Sequence, residues 1–339
     1  MKEYILLIPI LVSFFITFYL MPYWIKKARN AGLVGKDMNK PTKEYVAECG
    51  GVIVVISFIL SSLLYIAIKT FYFKDSSFII EIFALLFSIL FVAFVGIIDD
   101  ILGWKIGLNK RTRIILIAFA SLPIIVINAG IKEVSLPFFG VVELSYLYLF
   151  FVIPIAFIGT STTFNFLAGY NGLEARQGIL IFLALSIFTY LTGTRWLSLI
   201  SLCMVAALFA FLKYNQFPAK VFPGNTLTYA LGALIALIAI LGNIEKFAIF
   251  IFIPNIIEVF LKLRGGLKKE SFAKPNKDGS LELKYEKVYG LEHFAIYTLK
   301  KFKQKVYEKD VVDFINIIQL IFILIAFFVC RGGFLNVHS

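Results

Sequence analysis

The sequence predicts an all-α polytopic membrane protein of about ten transmembrane helices, with a small amphipathic and hairpin insertion before the last. Three observations predict it. The 339 residues are 60% hydrophobic and 16% charged, with a mean hydropathy of +0.88, whereas a soluble domain is about 45–50% apolar and about 25% charged. The apolar residues gather in ten runs of membrane length. The basic residues gather in alternate loops between those runs.

Lipid offers no partner to a free N–H or C=O, so helices are the open-ended way to cross it. A crossing takes about 20 residues. The runs lie at 4–24, 50–70, 78–98, 112–128, 145–164, 178–193, 196–212, 226–243, 247–263 and 311–330. The first has only Lys2 before it and no small-residue cleavage site after it, so it reads as a retained helix. The sixth and seventh are short and separated by a tight Thr192–Gly193–Thr194 turn, and Pro254 is expected to kink the ninth. No repeat stands out. Residues 1–339 read as one transmembrane domain, with 264–310 as a loop insertion within it.

Counted from the N-terminus, the odd loops hold 26 of the 33 Lys and Arg, and the even loops and tails hold 7. That bias puts the odd loops in the cytoplasm and both termini outside. The net charge of +12 is thus accounted for by topology and attraction to anionic lipid, and no nucleic acid is expected as a partner. Cys49, Cys203 and Cys330 form neither a metal spacing nor a disulfide framework. With His293 and His338 alone, a histidine-rich metal site is excluded.

The last odd loop is the longest. Residues 271–285 read as a short hairpin turned by Lys277–Asp278–Gly279–Ser280. Leu291, Phe294, Ala295, Thr298, Leu299 and Phe302 follow at helical spacing, among Lys300, Lys301, Lys303 and Lys305. This pattern predicts an amphipathic helix in the membrane interface.

The residues able to carry chemistry fall at the cytoplasmic ends of the runs. Asp99–Asp100 closes the third. Two carboxylates there oppose the helix dipole and are expensive to dehydrate. They call for a cation, either Mg²⁺ or the basic residues at 105–113. After the fifth run, 160–174 brings amides and glycines together; Asn171–Gly172 reads as a turn, but Asn165 sits inside an apolar stretch. After the seventh comes Asn215–Thr226, rich in Pro and Gly. The first loop adds 35–41 and Glu48–Cys49–Gly50–Gly51.

In this order, GKDMNK, ECGG, DDILGWK, FNFLAGYNGLEARQ, FPAKVFPGNT, FIPN and KPNKDGSLELKY resemble the polyprenyl-phosphate N-acetylhexosamine-1-phosphate transferases. The resemblance runs from about residue 33 to 290. It is nearest the dolichyl-phosphate GlcNAc-1-phosphate branch, and more distant from the bacterial phospho-MurNAc-pentapeptide translocases. It implies a multi-pass enzyme, in the cell membrane if archaeal or the endoplasmic reticulum if eukaryotic, and allows a homodimer. The implied reaction is attack of a polyprenyl or dolichyl phosphate on UDP-GlcNAc with loss of UMP, the first lipid-linked sugar of N-glycosylation. The implied cofactor is Mg²⁺, with Mn²⁺ as an alternative. Asn165 and Asn225 would ligate the metal. Asn171 and Phe222 would hold the uracil, and Glu48 would lie near the nucleotide. Asp99 and Asp100 would act near the attacking phosphate. Lys110, with Lys105 as its rival, would contact the diphosphate. Lys269 and Lys274 would meet the sugar.

Two departures stand out. The family has Gly–Asp where this chain has Gly224–Asn225, which lowers the expected Mg²⁺ affinity. The family's histidine-containing basic cluster in the last loop is here Lys268, Lys269 and Lys274. Two other readings compete: a transporter using Asn255 and Glu258 in the ninth run, and a non-catalytic relative that binds nucleotide sugar or lipid. Metal-dependent UMP release separates the enzyme from both.

Overall fold

The computed structural model describes residues 2–42, 44–103, 107–130, 133–136, 140–143 and 145–331. Lys105, the rival of Lys110, lies outside them. The helices are α1 (Leu7–Asn30), α2 (Gly51–Ala67), α3 (Ile79–Leu102), α4 (Lys110–Phe119), α5 (Leu122–Val126), α6 (Ser145–Leu147), α7 (Ile153–Phe166), α8 (Leu173–Leu191), α9 (Arg195–Asn215), α10 (Gly224–Gly242), α11 (Glu245–Ile251), α12 (Ile253–Arg264), α13 (Leu291–Leu299) and α14 (Glu308–Val329). Three two-stranded antiparallel hairpins decorate them: β1 (Val34–Lys36) with β2 (Tyr45–Ala47), β3 (Glu133–Leu136) with β4 (Gly140–Glu143), and β5 (Lys274–Pro275) with β6 (Leu281–Glu282). The last is the expected hairpin, turned at Gly279 with φ +80.

Among the described residues, eight helices are long and apolar enough to cross a membrane. The protein is therefore an all-α polytopic membrane protein. The count of ten is not reached because the fourth and ninth runs are each two helices. α4 and α5 meet at Ala120–Ser121, with Pro123 in the first turn of α5. α11 and α12 meet at Phe252, with Pro254 in the first turn of α12. Proline lacks the N–H that would continue the ladder. α8 and α9 are longer than expected, and Gly193 at φ +86 makes the turn between them.

α10 is the central post. Every residue from Thr226 to Ile240 is buried, against α3, α7 and α2 in particular. Two glycines let backbones approach it. A Cβ at Gly96 of α3 would lie 2.5 Å from Thr226 Cα, and one at Gly232 would lie 2.4 Å from the Thr160 carbonyl oxygen of α7. Overpacking of this kind costs about 1–3 kcal/mol. Gly96→Ala is therefore expected to lower the melting temperature in detergent, and an unchanged melt would show that α3 and α10 can part without cost.

The 264–310 insertion is packed on the bundle. Leu291, Ala295 and Ile296 of α13 join Val311, Val312 and Ile315 of α14 in a second apolar cluster. This corrects the expected face. The stripe Leu291–Ala295–Ile296 finds a protein partner in the first turns of α14, whereas Phe294 and Phe302 are exposed.

Candidate active site

The ends of α3, α7 and α10 meet at one end of the bundle. Asp100 serves α10: its Oδ1 accepts from the Asn225 N–H at 2.7 Å, and its Oδ2 from the Thr226 N–H at 3.0 Å and Thr226 Oγ1 at 2.7 Å. The residue before α10 is Pro223, which offers no side-chain acceptor. A neighbouring helix thus supplies the cap, and the positive end of the α10 dipole meets the carboxylate. Asp99 Oδ1 accepts from the Leu108 N–H at 2.7 Å. Its Oδ2 accepts from Arg113 Nη1, Tyr229 OH and Asn225 Nδ2, each at 3.1 Å. Of the two partners open to the acid pair, Asp99 has taken a basic side chain, Arg113, which also donates to Tyr229 OH at 2.7 Å.

Beside this knot lies a cavity of about 350 Å³ whose lining includes Lys110, Arg113, Asn165, Tyr229, Lys262 and Lys269. Asn165 Oδ1 accepts from Thr228 Oγ1 at 2.8 Å, one turn along α10 from Asn225. The structure thus brings Lys110, Asn165 and Lys269 to one cavity and joins Asn225 and Asp99 to its wall through Arg113 and Tyr229. Lys269 Nζ lies 4.8 Å from the Tyr285 ring centre. Lys274 stands exposed on β5 and does not line the cavity.

The other site residues belong to an adjoining set of loops. Asn171 is buried. Its N–H donates to Glu308 Oε1 at 2.7 Å, and its Nδ2 to Asp37 Oδ2 at 3.0 Å and Glu308 Oε2 at 3.3 Å. Its Oδ1 has no hydrogen-bond partner among the described residues. Phe222 is half-buried; its N–H donates to the Ala47 carbonyl at 2.8 Å, and its carbonyl accepts from the Gly50 N–H at 2.9 Å. Glu48 packs its carboxyl over Gly35, where a Cβ would collide with it.

Burial, and next the charge of Asp100, push Glu48 up from the usual 4.5 to about 7. Its neutral form suits the fold, so the stability it contributes is full below pH 4.5 and is lost as pH rises to about 7. Glu48→Gln should therefore gain in melting temperature relative to the parent between those pH values, with a constant difference above pH 7. Melts at pH 5, 6, 7 and 8 test this, and a difference that does not vary with pH would contradict it.

Mg²⁺ usually takes one or two carboxylates and completes its shell with water and substrate phosphates. Asp99 and Asp100 have each accepted three or more protein donors. Among the described residues no three acid, cysteine or histidine side chains gather as a ligand group. Asn225 commits its Nδ2 to Asp99, which leaves its Oδ1, and Asn165 keeps a lone pair beside Thr228. These are neutral ligands. They fit a divalent ion whose charge is balanced by a bound diphosphate.

The sequence names Arg113 only within the basic stretch 105–113 and gives no role to Thr226, Thr228, Tyr229 or Lys262. For the three α10 residues a signal existed: each falls within a turn of Asn225. Asn255 and Glu258 of the transporter reading are buried, and Glu258 pairs with Lys262 at 3.1 Å.

Comparison with known proteins finds relatives along most of the chain. A family model described as glycosyl transferase family 4 matches residues 82–243. A Saccharolobus solfataricus protein, provisionally named UDP-N-acetylglucosamine–dolichyl-phosphate N-acetylglucosaminephosphotransferase, is 36% identical over 90% of this chain and 91% of its own. A Sulfolobus acidocaldarius protein with the same provisional name is 32% identical over 95% of each chain. The Dictyostelium discoideum protein of that name is 30% identical over 71% of this chain and 67% of its own.

Proposed function

Since the chain belongs to the family of UDP-N-acetylglucosamine–dolichyl-phosphate N-acetylglucosaminephosphotransferases, we propose that it moves GlcNAc-1-phosphate from UDP-GlcNAc to a dolichyl-type polyprenyl phosphate at the cytoplasmic face, with both termini outside. A lipid-phosphate oxygen attacks the β-phosphorus, the bond to the UMP phosphate breaks, and the lipid-linked sugar diphosphate remains. The attacking phosphate is already ionised near neutral pH, so positioning and charge neutralisation carry the reaction.

Each residue then has a task. Asp99 fixes Arg113 at the cavity wall, and Lys110, one turn earlier on α4, lines the same wall; together they draw in the phosphates. Asp100 holds the N-terminus of α10, and with it Asn225, against α3. Asn165 and Asn225 would hold Mg²⁺ (Mn²⁺ as an alternative). Bound there, the ion would polarise the diphosphate and steady the leaving phosphate. Asn171 Oδ1 and the Phe222 ring take the uracil, with Glu48 behind them. Lys269 is better placed than Lys274 to meet the sugar.

The observation that carries this reading is the joining of Asp99, Asn225 and Arg113 beside a cavity lined by Lys110, Asn165 and Lys269. The test is UMP release by the purified chain from UDP-GlcNAc and a polyprenyl phosphate, with Mg²⁺ and with chelator. Release that needs both the lipid and the metal is expected. A folded chain that releases no UMP in Mg²⁺ would overturn the reading.

A further inference from the structure

One charged pair in α12 carries no task in the proposed transfer. Glu258 and Lys262 stand one turn apart, with Lys262 Nζ 3.1 Å from Glu258 Oε1. Glu258 is fully buried and Lys262 is 6% exposed. Lys262 Nζ also donates to Ser271 Oγ of the insertion. The other Glu258 oxygen accepts from the Leu291 N–H at 2.6 Å. Gly290 leaves the pair its space: a Cβ there would lie 3.0 Å from Glu258 Oε1 and 3.4 Å from Lys262 Nζ. A buried charge is costly unless firmly partnered, so these contacts hold the ammonium in one place.

That place is the cavity wall, which Lys262 and Ser271 share with Lys110, Arg113, Asn165 and Lys269. An ammonium has three donors. Ser271 takes one, and Glu258 Oε1 pairs with the ammonium as an ion pair at 3.1 Å without a hydrogen bond, so an N–H is left for a ligand. The charge balance points the same way: the cavity lining holds four cations and one carboxylate, Glu270. Glu258 and Asp99 behind the lining offset two of those cations, and the other nearby buried groups, Glu292 and His293, are neutral near pH 7. Burial and the Glu258 charge push Glu292 up to about 8, and burial and the Lys262 charge push His293 down to about 4.

We propose that Lys262 is a donor-site cation whose uncommitted N–H binds the diphosphate of the nucleotide sugar, with Glu258 as the ion-pair partner that positions it. This rests on the donor reading given above.

UDP binding to the purified full chain, by calorimetry in chelator and in Mg²⁺, tests it. The double variant Glu258→Met/Lys262→Met removes both charges, so neither is left buried alone. Its UDP dissociation constant is expected to rise about 10- to 100-fold in both conditions, the range of a charged hydrogen bond. The KM for UDP-GlcNAc should rise with it, while the melting temperature stays near the parent's. Should that variant fail to fold, Glu258→Gln/Lys262→Gln, closer in shape, carries the same expectation. A folded variant that binds UDP as tightly as the parent overturns the assignment of Lys262 and leaves the donor reading standing. A parent chain that neither binds UDP nor releases UMP overturns both.

Discussion

Asp100→Asn is expected to cut UMP release by about 10²- to 10³-fold, the usual consequence of a small misplacement in a phosphoryl-transfer site. The carboxylate accepts from three donors at the start of α10. An amide keeps one acceptor oxygen and turns its NH₂ toward one of the N–H groups. Either Asn225 or Thr226 then loses its partner and shifts. The helix should nonetheless form, because the amide oxygen still accepts from one of these donors and α10 is buried from Thr226 to Ile240. Activity and thermal melting must therefore be measured together. Turnover within tenfold of the parent's, in a normally melting protein, would show that the α3–α10 junction does not position the chemistry.

Asn225→Asp should make the protein depend on metal for stability as well as activity. Asn225 Nδ2 lies 3.1 Å from Asp99 Oδ2. Two carboxylates at that distance repel, and Arg113 offsets part of the repulsion. In chelator the variant should melt below the parent. Mg²⁺ should restore it, because a ligand that binds only the folded state stabilises it. The half-activating Mg²⁺ concentration should fall by about tenfold or more as ligand charge is added. Identical melting and metal responses in parent and variant would mean that position 225 does not touch the ion.

The membrane class was legible because hydropathy is a local property, and the runs became helices with shifted ends. The interruptions were less so. The sequence predicts a kink at Pro254, and Pro123, inside an unbroken apolar run, plays the same part between α4 and α5. Asp99, Asn165 and Asn225 were readable as motif residues, but their bonding was not, since those bonds join distant segments. Asp100 meets Thr226 across 126 positions. The cation expected for the acid pair came to Asp99 as Arg113, whereas Asp100 met a helix terminus, which carries no sequence letter. Lys262 did leave a trace: an acid and a base one turn apart in an apolar run.

The central seat of α10 bears on how the protein is made. A helix enclosed by protein gains little from lipid tails, and it carries Asn225, Thr226 and Thr228 where a lipid-facing helix would carry leucine. By chain order, α2, α3, α7 and α9 are all synthesised before it. Gly96 of α3 leaves room for the start of α10, and only the arrival of α10 brings Asn225 to Asp99. Until then the nascent chain holds scattered polar residues and no assembled phosphate site.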